Sequence, residues 1–170
     1  LRVHPRPSHA DLTARHKYGE EFDLRGGGIF SGRMTLLIVA AGVVAKKIMS
    51  GSTFSSQIVE LGGCRDAEQF ENIVTAAQGD ADSVGGVIEC VVTGAGRDLG
   101  EPFFDSVESM AAHLLFAVPA VKGVEFGAGF AAAKMKGSEH NDSIINAEGK
   151  TLTNNAGGVV GGITNGNEIV

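Results

Sequence analysis

The chain has 170 residues, of which 43% are hydrophobic and 20% are charged, and its formal net charge is -6. This composition predicts a single globular domain over residues 1–170. Charges of both signs are interspersed, which argues against a nucleic-acid partner. The longest apolar stretch, Met34–Ala45, is shorter than the roughly 20 residues that cross a bilayer, so we expect no membrane partner.

The two cysteines, Cys64 and Cys90, belong to no CxxC pair and to no zinc-ligand pattern. We therefore predict reduced thiols in a cytoplasmic protein. No signal-peptide pattern opens the chain. The sequence begins at Leu1 rather than methionine and stops within an apolar segment, which predicts a piece of a longer protein.

The first 33 residues form a basic segment in an otherwise acidic chain, because they contain only four acidic side chains. Composition alone leaves a solvated loop with scattered charge equally open. The basic side chains of this segment are Arg2, His4, Arg6, His9, Arg15, His16, Lys17, Arg25 and Arg33.

Three segments have the pattern of helices. Thr35–Met49 repeats its apolar residues with helical spacing and contains small residues that allow close packing. A capping-box pattern at Asp66 begins a second helix that ends near Gly79. A third begins around Asp105 and is closed by Pro119. The second and third helices are predicted to bury one apolar face each.

Between these helices lie three strand-like runs, which are rich in β-branched residues and bounded by glycines. The alternation of helices and strands predicts layers of sheet and helix. The predicted strands are Ser56–Leu61, Val84–Thr93 and Val121–Phe126.

Glycine accounts for 25 of the 170 residues and is clustered. Clusters of this kind allow positive φ angles and bring backbone N–H groups close to an anion or a planar ring. Tight turns without a ligand are the alternative for any one cluster. The stretch GGGIFSG lacks the preceding strand and the downstream acidic residue of a dinucleotide fingerprint. The clusters lie at residues 26–32, 123–129 and 157–162.

Two basic side chains are candidates for chemistry. His9 lies between Arg6 and Asp11, and a histidine is suited to donate a proton near neutral pH. Arg33 precedes the first helix, where it could bind a phosphate or a carboxylate. Ordinary surface residues are the alternative for both. His140, between Glu139 and Asp142, has no second ligand group at a metal-site spacing, so we interpret GSEHND as a polar loop and predict no metal.

Eight segments, in order along nearly the whole chain, resemble signature segments of chorismate synthase. They are RPSHADLTARHKYG (Arg6–Gly19), RGGGIFSGRMT (Arg25–Thr35), VAAGVVAKK (Val39–Lys47), DSVGGVIECVVTG (Asp82–Gly94), LGEPFFDSVES (Leu99–Ser109), AVKGVEFGAGF (Ala120–Phe130), GSEHND (Gly137–Asp142) and TNNAGGVVGGITNG (Thr153–Gly166).

The resemblance implies an α+β fold, a β-α-β sandwich of antiparallel sheets flanked by helices. It implies the shikimate-pathway lyase reaction, in which 5-enolpyruvylshikimate 3-phosphate loses phosphate and a ring hydrogen to give chorismate. Reduced FMN would be required but not consumed, with NADPH as a candidate reductant. A cytoplasmic homotetramer is the family expectation.

Residue by residue, the resemblance makes His9 a general acid near the flavin and Arg33 a substrate-facing arginine. It aligns three groups of residues with contacts to FMN: Ile29, Phe30 and Ser31; Pro119 with Ala120; and Gly161. The residues at two positions depart from the family pattern, since Ile29 replaces a common arginine and Ser8 a common glycine.

The family's amino-terminal segment, with its first functional histidine, and its carboxy-terminal phosphate loop have no counterpart in these 170 residues. We therefore predict that this chain alone has little or no turnover. A flavin-binding or assembly fragment that does no chemistry is the alternative function.

Overall fold

The structure, a computed structural model, describes residues 4–23 and 25–170, so Arg2 of the basic segment lies outside the described residues. The described part contains five α-helices and four β-strands, joined by short 3-10 helices and loops. In chain order these are α1 (Asp11–Tyr18), α2 (Thr35–Ile48), β1 (Thr53–Leu61), α3 (Phe70–Gly79), β2 (Gly86–Thr93), α4 (Val107–Leu115), α5 (Gly137–His140), β3 (Val159–Val160) and β4 (Ile163–Thr164).

Both sheets are antiparallel. β1 pairs with β2 from Thr53 opposite Thr93 to Leu61 opposite Gly86, with an irregularity between Ile58 and Glu60. β3 and β4 form a short hairpin. Helices combined with antiparallel strands confirm the α+β class.

The chain divides into two compact units. One comprises Leu1–Ile48 and Ala112–Val124, and the other comprises Met49–Ala111 and Glu125–Val170. The boundary falls inside α4. The single domain over residues 1–170 stays a prediction.

The three predicted helices are present with bounds close to those expected. α2 ends at Ile48, just before Gly51. The side chain of Asp66 accepts a hydrogen bond from the Glu68 N–H group at 3.1 Å, and a 3-10 turn over Ala67–Gln69 then leads into α3. In contrast, α1 lies in the basic segment, where no helix was predicted.

The prediction of a strand over Val121–Phe126 is wrong. This segment forms no helix and no strand ladder in the described chain. Its β-branched residues favour an extended backbone, but strand formation also requires a partner at the right distance. The Gly127 N–H group instead donates to the Val170 carbonyl at 3.0 Å, beyond the end of the segment.

Few apolar side chains are buried. Among the described hydrophobic residues only Ala14 and Val159 count as buried, whereas Leu114 in the predicted inner face of α4 is 65% exposed. Along α2, Leu36 is 71% exposed and Ile48 is 79% exposed. The periodicity of the sequence therefore predicted the helices correctly, but not the burial of their apolar faces.

Candidate functional site

A tight turn precedes α1 and presents His9. The His9 N–H group donates to the Arg6 carbonyl at 3.3 Å. Ser8, inside this turn, has a φ of 55°, in the left-handed region that favours glycine. The glycine that the resemblance leads us to expect at this position would fit this backbone, and Ser8 keeps the turn at the cost of some strain.

Asp11, the first residue of α1, holds this turn in place. Its side chain is 1% exposed. The carboxylate accepts hydrogen bonds from Arg6 Nε at 2.8 Å, Arg6 Nη2 at 2.7 Å and the Arg6 backbone N–H at 3.1 Å. His9 Nδ1 lies 2.7 Å from Asp11 Oδ1. The sequence therefore brings a carboxylate, a guanidinium and an imidazole together within six consecutive residues.

The Arg6 side-chain hydrogen bonds hold the pKa of Asp11 well below its usual range, although burial of the carboxyl group opposes this. The Arg6 backbone N–H and the His9 ring act in the same direction as the Arg6 side chain. Asp11 is therefore an anion at neutral pH, and His9 has a permanent negative partner.

Three consecutive glycines pass beside the His9 ring. Gly26, Gly27 and Gly28 have φ angles of 63°, 77° and 52° within the turn segment Arg25–Phe30. A Cβ atom added to Gly27 would lie 3.4 Å from His9 Nε2 and 3.5 Å from the Ser31 Cβ atom. The glycine backbone is thus adjacent to the nitrogen of His9 that faces away from Asp11.

Arg33 lies on the other side of the same loop. A Cβ atom added to Gly26 would lie 3.8 Å from one terminal nitrogen of the Arg33 guanidinium. Ser31 caps the 3-10 turn Gly32–Met34 that leads into α2, and its Oγ accepts weakly from the Arg33 N–H group at 3.4 Å. Within the described residues, Arg33 makes no ion pair, so its charge is available to an anion.

The predicted flavin-contacting residues Ile29 and Phe30 are on the surface of this loop. Ile29 is 61% exposed. The Phe30 ring belongs to an aromatic cluster, with its centroid 6.1 Å from that of Phe22 and 6.4 Å from that of Tyr18.

Pro119 and Ala120 occupy the centre of a β-turn that follows α4. The Val121 N–H group donates to the Val118 carbonyl at 3.3 Å. Proline at the second position and a positive φ at the third, 70° at Ala120, are typical of a type II turn, whose third residue is usually glycine. The turn is in the same unit as His9, and no backbone hydrogen bond connects it to the Gly26–Gly28 loop in the described chain.

Gly161 lies in the other unit, at the first position of the two-residue turn between β3 and β4. Gly161 and Gly162 have φ angles of 63° and 87°. Two successive positive φ angles are typical of a type I′ hairpin turn. A Cβ atom on Gly161 would meet nothing within 4 Å, so its backbone is open to approach.

The GSEHND segment, whose first four residues form α5, has a structural role in the same unit. Asp142 accepts hydrogen bonds from the Thr153 hydroxyl at 2.6 Å and from the N–H groups of Asn155 and Ala156, both at 2.8 Å. Burial alone would raise the pKa of Asp142, but these hydrogen bonds and nearby His140 lower it. Asp142 therefore holds the loop that leads to β3. The polar-loop interpretation is wrong for Gly137–His140, which form α5, where the Glu139 carboxylate accepts a hydrogen bond from the Lys136 N–H group at 2.8 Å and caps the helix.

A cavity of about 610 Å³ in this unit contains none of the predicted site residues. Arg97 and Lys150 line it together with Glu148 and Glu168, so the charges of its walls balance.

Within residues 4–23 and 25–170, no group of three or more His, Cys, Asp or Glu side chains is placed to hold a metal ion. No helix of the described part is long and apolar enough to span a bilayer.

Sequence reasoning placed His9, Ser31 and Arg33 in one site, and the structure brings these three together around the glycine loop. Sequence reasoning noted Asp11 only as a neighbour of His9. The signal available in the sequence was a carboxylate two residues after a histidine and five after an arginine.

The comparisons with known proteins agree with the sequence resemblance. The chain is 62% identical, over its whole length, to the chorismate synthase of Chitinophaga pinensis, of which it covers 51%. It is 44% identical to the chorismate synthase of Pyrococcus abyssi, in a match that covers 98% of this chain and 54% of that protein. The chain thus spans about half the length of the curated relatives it matches.

A solved structure, described as the crystal structure of chorismate synthase, superposes with a TM-score of 0.86 at 29% identity. The match covers 94% of this chain and 60% of that one. The family model described as chorismate synthase matches residues 1–170. The chain therefore belongs to the chorismate synthase family.

Proposed function

We propose that this chain carries the proton-donating and part of the substrate-binding machinery of a chorismate synthase. The reaction is the 1,4-elimination of phosphate from 5-enolpyruvylshikimate 3-phosphate, a lyase reaction that breaks a carbon–oxygen bond and gives chorismate. The observation that carries the proposal is the His9–Asp11 pair set against three left-handed glycines, with Arg33 on the same loop. Family membership supports it.

The residues present suit an anionic, planar ligand such as reduced FMN. Left-handed glycine backbone lets a ring or phosphate approach the main chain closely, and Arg33 adds a positive charge. When bound, the flavin would supply an electron transiently and recover it. The uncharged Ile29 side chain cannot bind the FMN phosphate, so any contact there is through its backbone or apolar surface.

His9 is the proposed general acid. Its Nε2 atom faces Gly27, and its side chain is 29% exposed, so a ligand can reach the imidazole. The Asp11 carboxylate lies 2.7 Å from Nδ1, on the side of the ring away from the glycine loop, which leaves Nε2 free to donate a proton to a ligand.

Arg33 is the proposed anion-binding residue. A guanidinium makes two parallel hydrogen bonds to a phosphate or a carboxylate, and the substrate carries both kinds of group. Ser31, Phe30, Pro119 and Ala120 are the proposed FMN contacts in this unit, and Gly161, in the other unit, is proposed as an FMN contact on the family resemblance alone. The positive φ of Ala120 supports its assignment, because strained backbone at a non-glycine residue is common in ligand-binding loops.

The finer proposals concern the whole protein. We propose a cytoplasmic homotetramer with NADPH as a candidate source of reducing equivalents. The exposed apolar side chains of α2 support assembly with further protein surface, since soluble proteins rarely leave a large contiguous apolar patch open. The alternative, a fragment that binds flavin without chemistry, is favoured by the 51% coverage of the Chitinophaga relative.

Anaerobic titration with reduced FMN, followed by substrate addition and measurement of released phosphate, tests the proposal. We expect saturable flavin binding by the 170-residue chain and little or no phosphate release. Robust turnover would contradict the expectation of an incomplete site. Absence of both flavin binding and substrate binding would contradict the proposed function itself.

A further inference from the structure

We infer that Asp11 is a positioning residue, which holds the imidazole of His9 with its proton on Nδ1 and its Nε2 atom directed at the glycine loop. This inference rests on the proposed function for its catalytic meaning, because it deepens the role given there to His9. Its structural content can be tested without turnover.

The proton position follows from the groups around Nδ1. An ionised carboxylate only accepts hydrogen bonds, so an unprotonated Nδ1 at 2.7 Å from Asp11 Oδ1 would bring two lone pairs together. Arg6 Nη2 also lies 3.2 Å from Nδ1, but it donates at the shorter distance of 2.7 Å to the same Oδ1 atom. A proton on Nδ1 is the arrangement that satisfies all three groups.

Arg6 makes this arrangement rigid. It binds both oxygens of Asp11 through Nε and Nη2, and its backbone N–H group adds a third hydrogen bond. A carboxylate bound in this way cannot rotate away from His9 without breaking these charge-assisted hydrogen bonds. Asp11 is also almost fully buried at the start of α1, so water does not compete for it.

A proton held on Nδ1 leaves Nε2 as the ring nitrogen that can exchange a proton with a ligand. The Nε2 atom faces Gly27 of the glycine loop. A carboxylate that fixes the tautomer and orientation of a histidine in this way has large effects on proton transfer. If Asp11 served only to anchor Arg6, its substitution would not change which ring nitrogen of His9 carries the proton.

The test is the tautomer of His9 in the 170-residue chain labelled with 15N-histidine. Long-range 1H–15N correlation spectra at pH about 8, above the ordinary histidine pKa of about 6.5, separate protonated from unprotonated ring nitrogens. His9→Gln assigns the resonances. We expect Nδ1 of His9 to be protonated and Nε2 unprotonated.

In Asp11→Asn we expect the proton to move to Nε2. The single amide oxygen would remain with the Arg6 Nε and backbone donors, which places the amide NH₂ group against Nδ1. Asp23→Asn is the control, since it makes the same change of carboxylate to amide in a different arginine–aspartate pair, that of Arg25 with Asp23.

A proton on Nε2 in the unmodified chain would overturn the inference, whether or not Asp11→Asn folds. A proton that stays on Nδ1 in folded Asp11→Asn would overturn it as well, and so would an equal shift in Asp23→Asn. Failure of the proposed function would appear separately, as absence of flavin and substrate binding while the tautomer is as expected.

Discussion

At the scale of single residues, the site depends on hydrogen bonds among Arg6, His9 and Asp11. The sequence shows which residue types are present but not which of them bond to each other. The order Arg6, His9, Asp11 is visible in the sequence, but the direction of each side chain depends on the backbone of the turn between them. Ser8 shows why, because its φ of 55° is not the conformation that serine prefers. The roles of His9 and Arg33 stay predictions from the resemblance, and the burial of Asp11 was not predictable from the sequence.

The lowered pKa of Asp11 predicts a pH-dependent stability. A carboxyl group whose pKa is lower in the folded than in the unfolded state stabilises the fold above its unfolded pKa of about 3.9, and this contribution is lost as pH falls toward the folded value. We expect the difference in unfolding free energy between the unmodified chain and Asp11→Asn to be constant from pH 7 to about 5. It should shrink below about pH 4.

Urea unfolding followed by circular dichroism over this pH range would measure the effect. A difference between the two proteins that is the same at pH 3 and pH 7 would contradict the account. So would a difference that grows as the pH falls.

Ser8 offers a second prediction at this scale. We expect Ser8→Gly to raise the free energy of unfolding by up to about 1 kcal/mol, because glycine adopts a positive φ without the strain of a side chain. Ser8→Ala is the matched control, since it removes the hydroxyl but keeps the strain. If chemical unfolding shows the Ser8→Gly variant to be no more stable than the Ser8→Ala variant, residue 8 does not have a left-handed backbone.

At the scale of elements, the sequence predicted helices better than strands. α2, α3 and α4 were recognisable because their apolar spacing and caps are local signals. α1 was missed since its sequence, DLTARHKY, is mostly polar and two of its residues, Asp11 and Ala14, account for its burial. The segment Val121–Phe126 had local β-propensity, but a strand also needs a partner, which a single sequence does not show.

The hairpin around Gly161 was visible only as a glycine cluster. We expect Gly161→Asn to retain the β3–β4 turn, because asparagine tolerates positive φ and is favoured in type I′ turns. Gly161→Val should destabilise the chain by at least about 1–2 kcal/mol, since a side chain in this conformation is strained. The space around Gly161 is open, so steric contact is not the cause.

Chemical unfolding of the two variants and of the unmodified chain measures these differences in unfolding free energy. Equal stability of Gly161→Asn and Gly161→Val would show that the turn does not require a positive φ at this position.

At the scale of the whole molecule, the predicted residues fall in two compact units. His9, Ser31, Arg33, Pro119 and Ala120 belong to one, and Gly161 belongs to the other. The resemblance to chorismate synthase implied the α+β class, whereas neither it nor the sequence patterns indicated the exposure of apolar side chains. Whether a helix face is covered depends on protein surface outside the helix, and periodicity reports only that the face is apolar.

The central claim is that the loop bearing Gly26–Gly28 and Arg33, beside His9, binds the phosphorylated substrate together with reduced flavin. Anaerobic equilibrium dialysis of the chain with reduced FMN and 5-enolpyruvylshikimate 3-phosphate tests it most directly. We predict that Arg33→Gln weakens substrate retention about tenfold or more, the loss expected for a charge-assisted hydrogen bond worth about 1.5–3 kcal/mol. Arg65→Gln, which removes an exposed arginine paired with Glu60 in the other unit, should bind like the unmodified chain. Equal retention by the Arg33 and Arg65 variants, or no retention by the unmodified chain, would contradict the account.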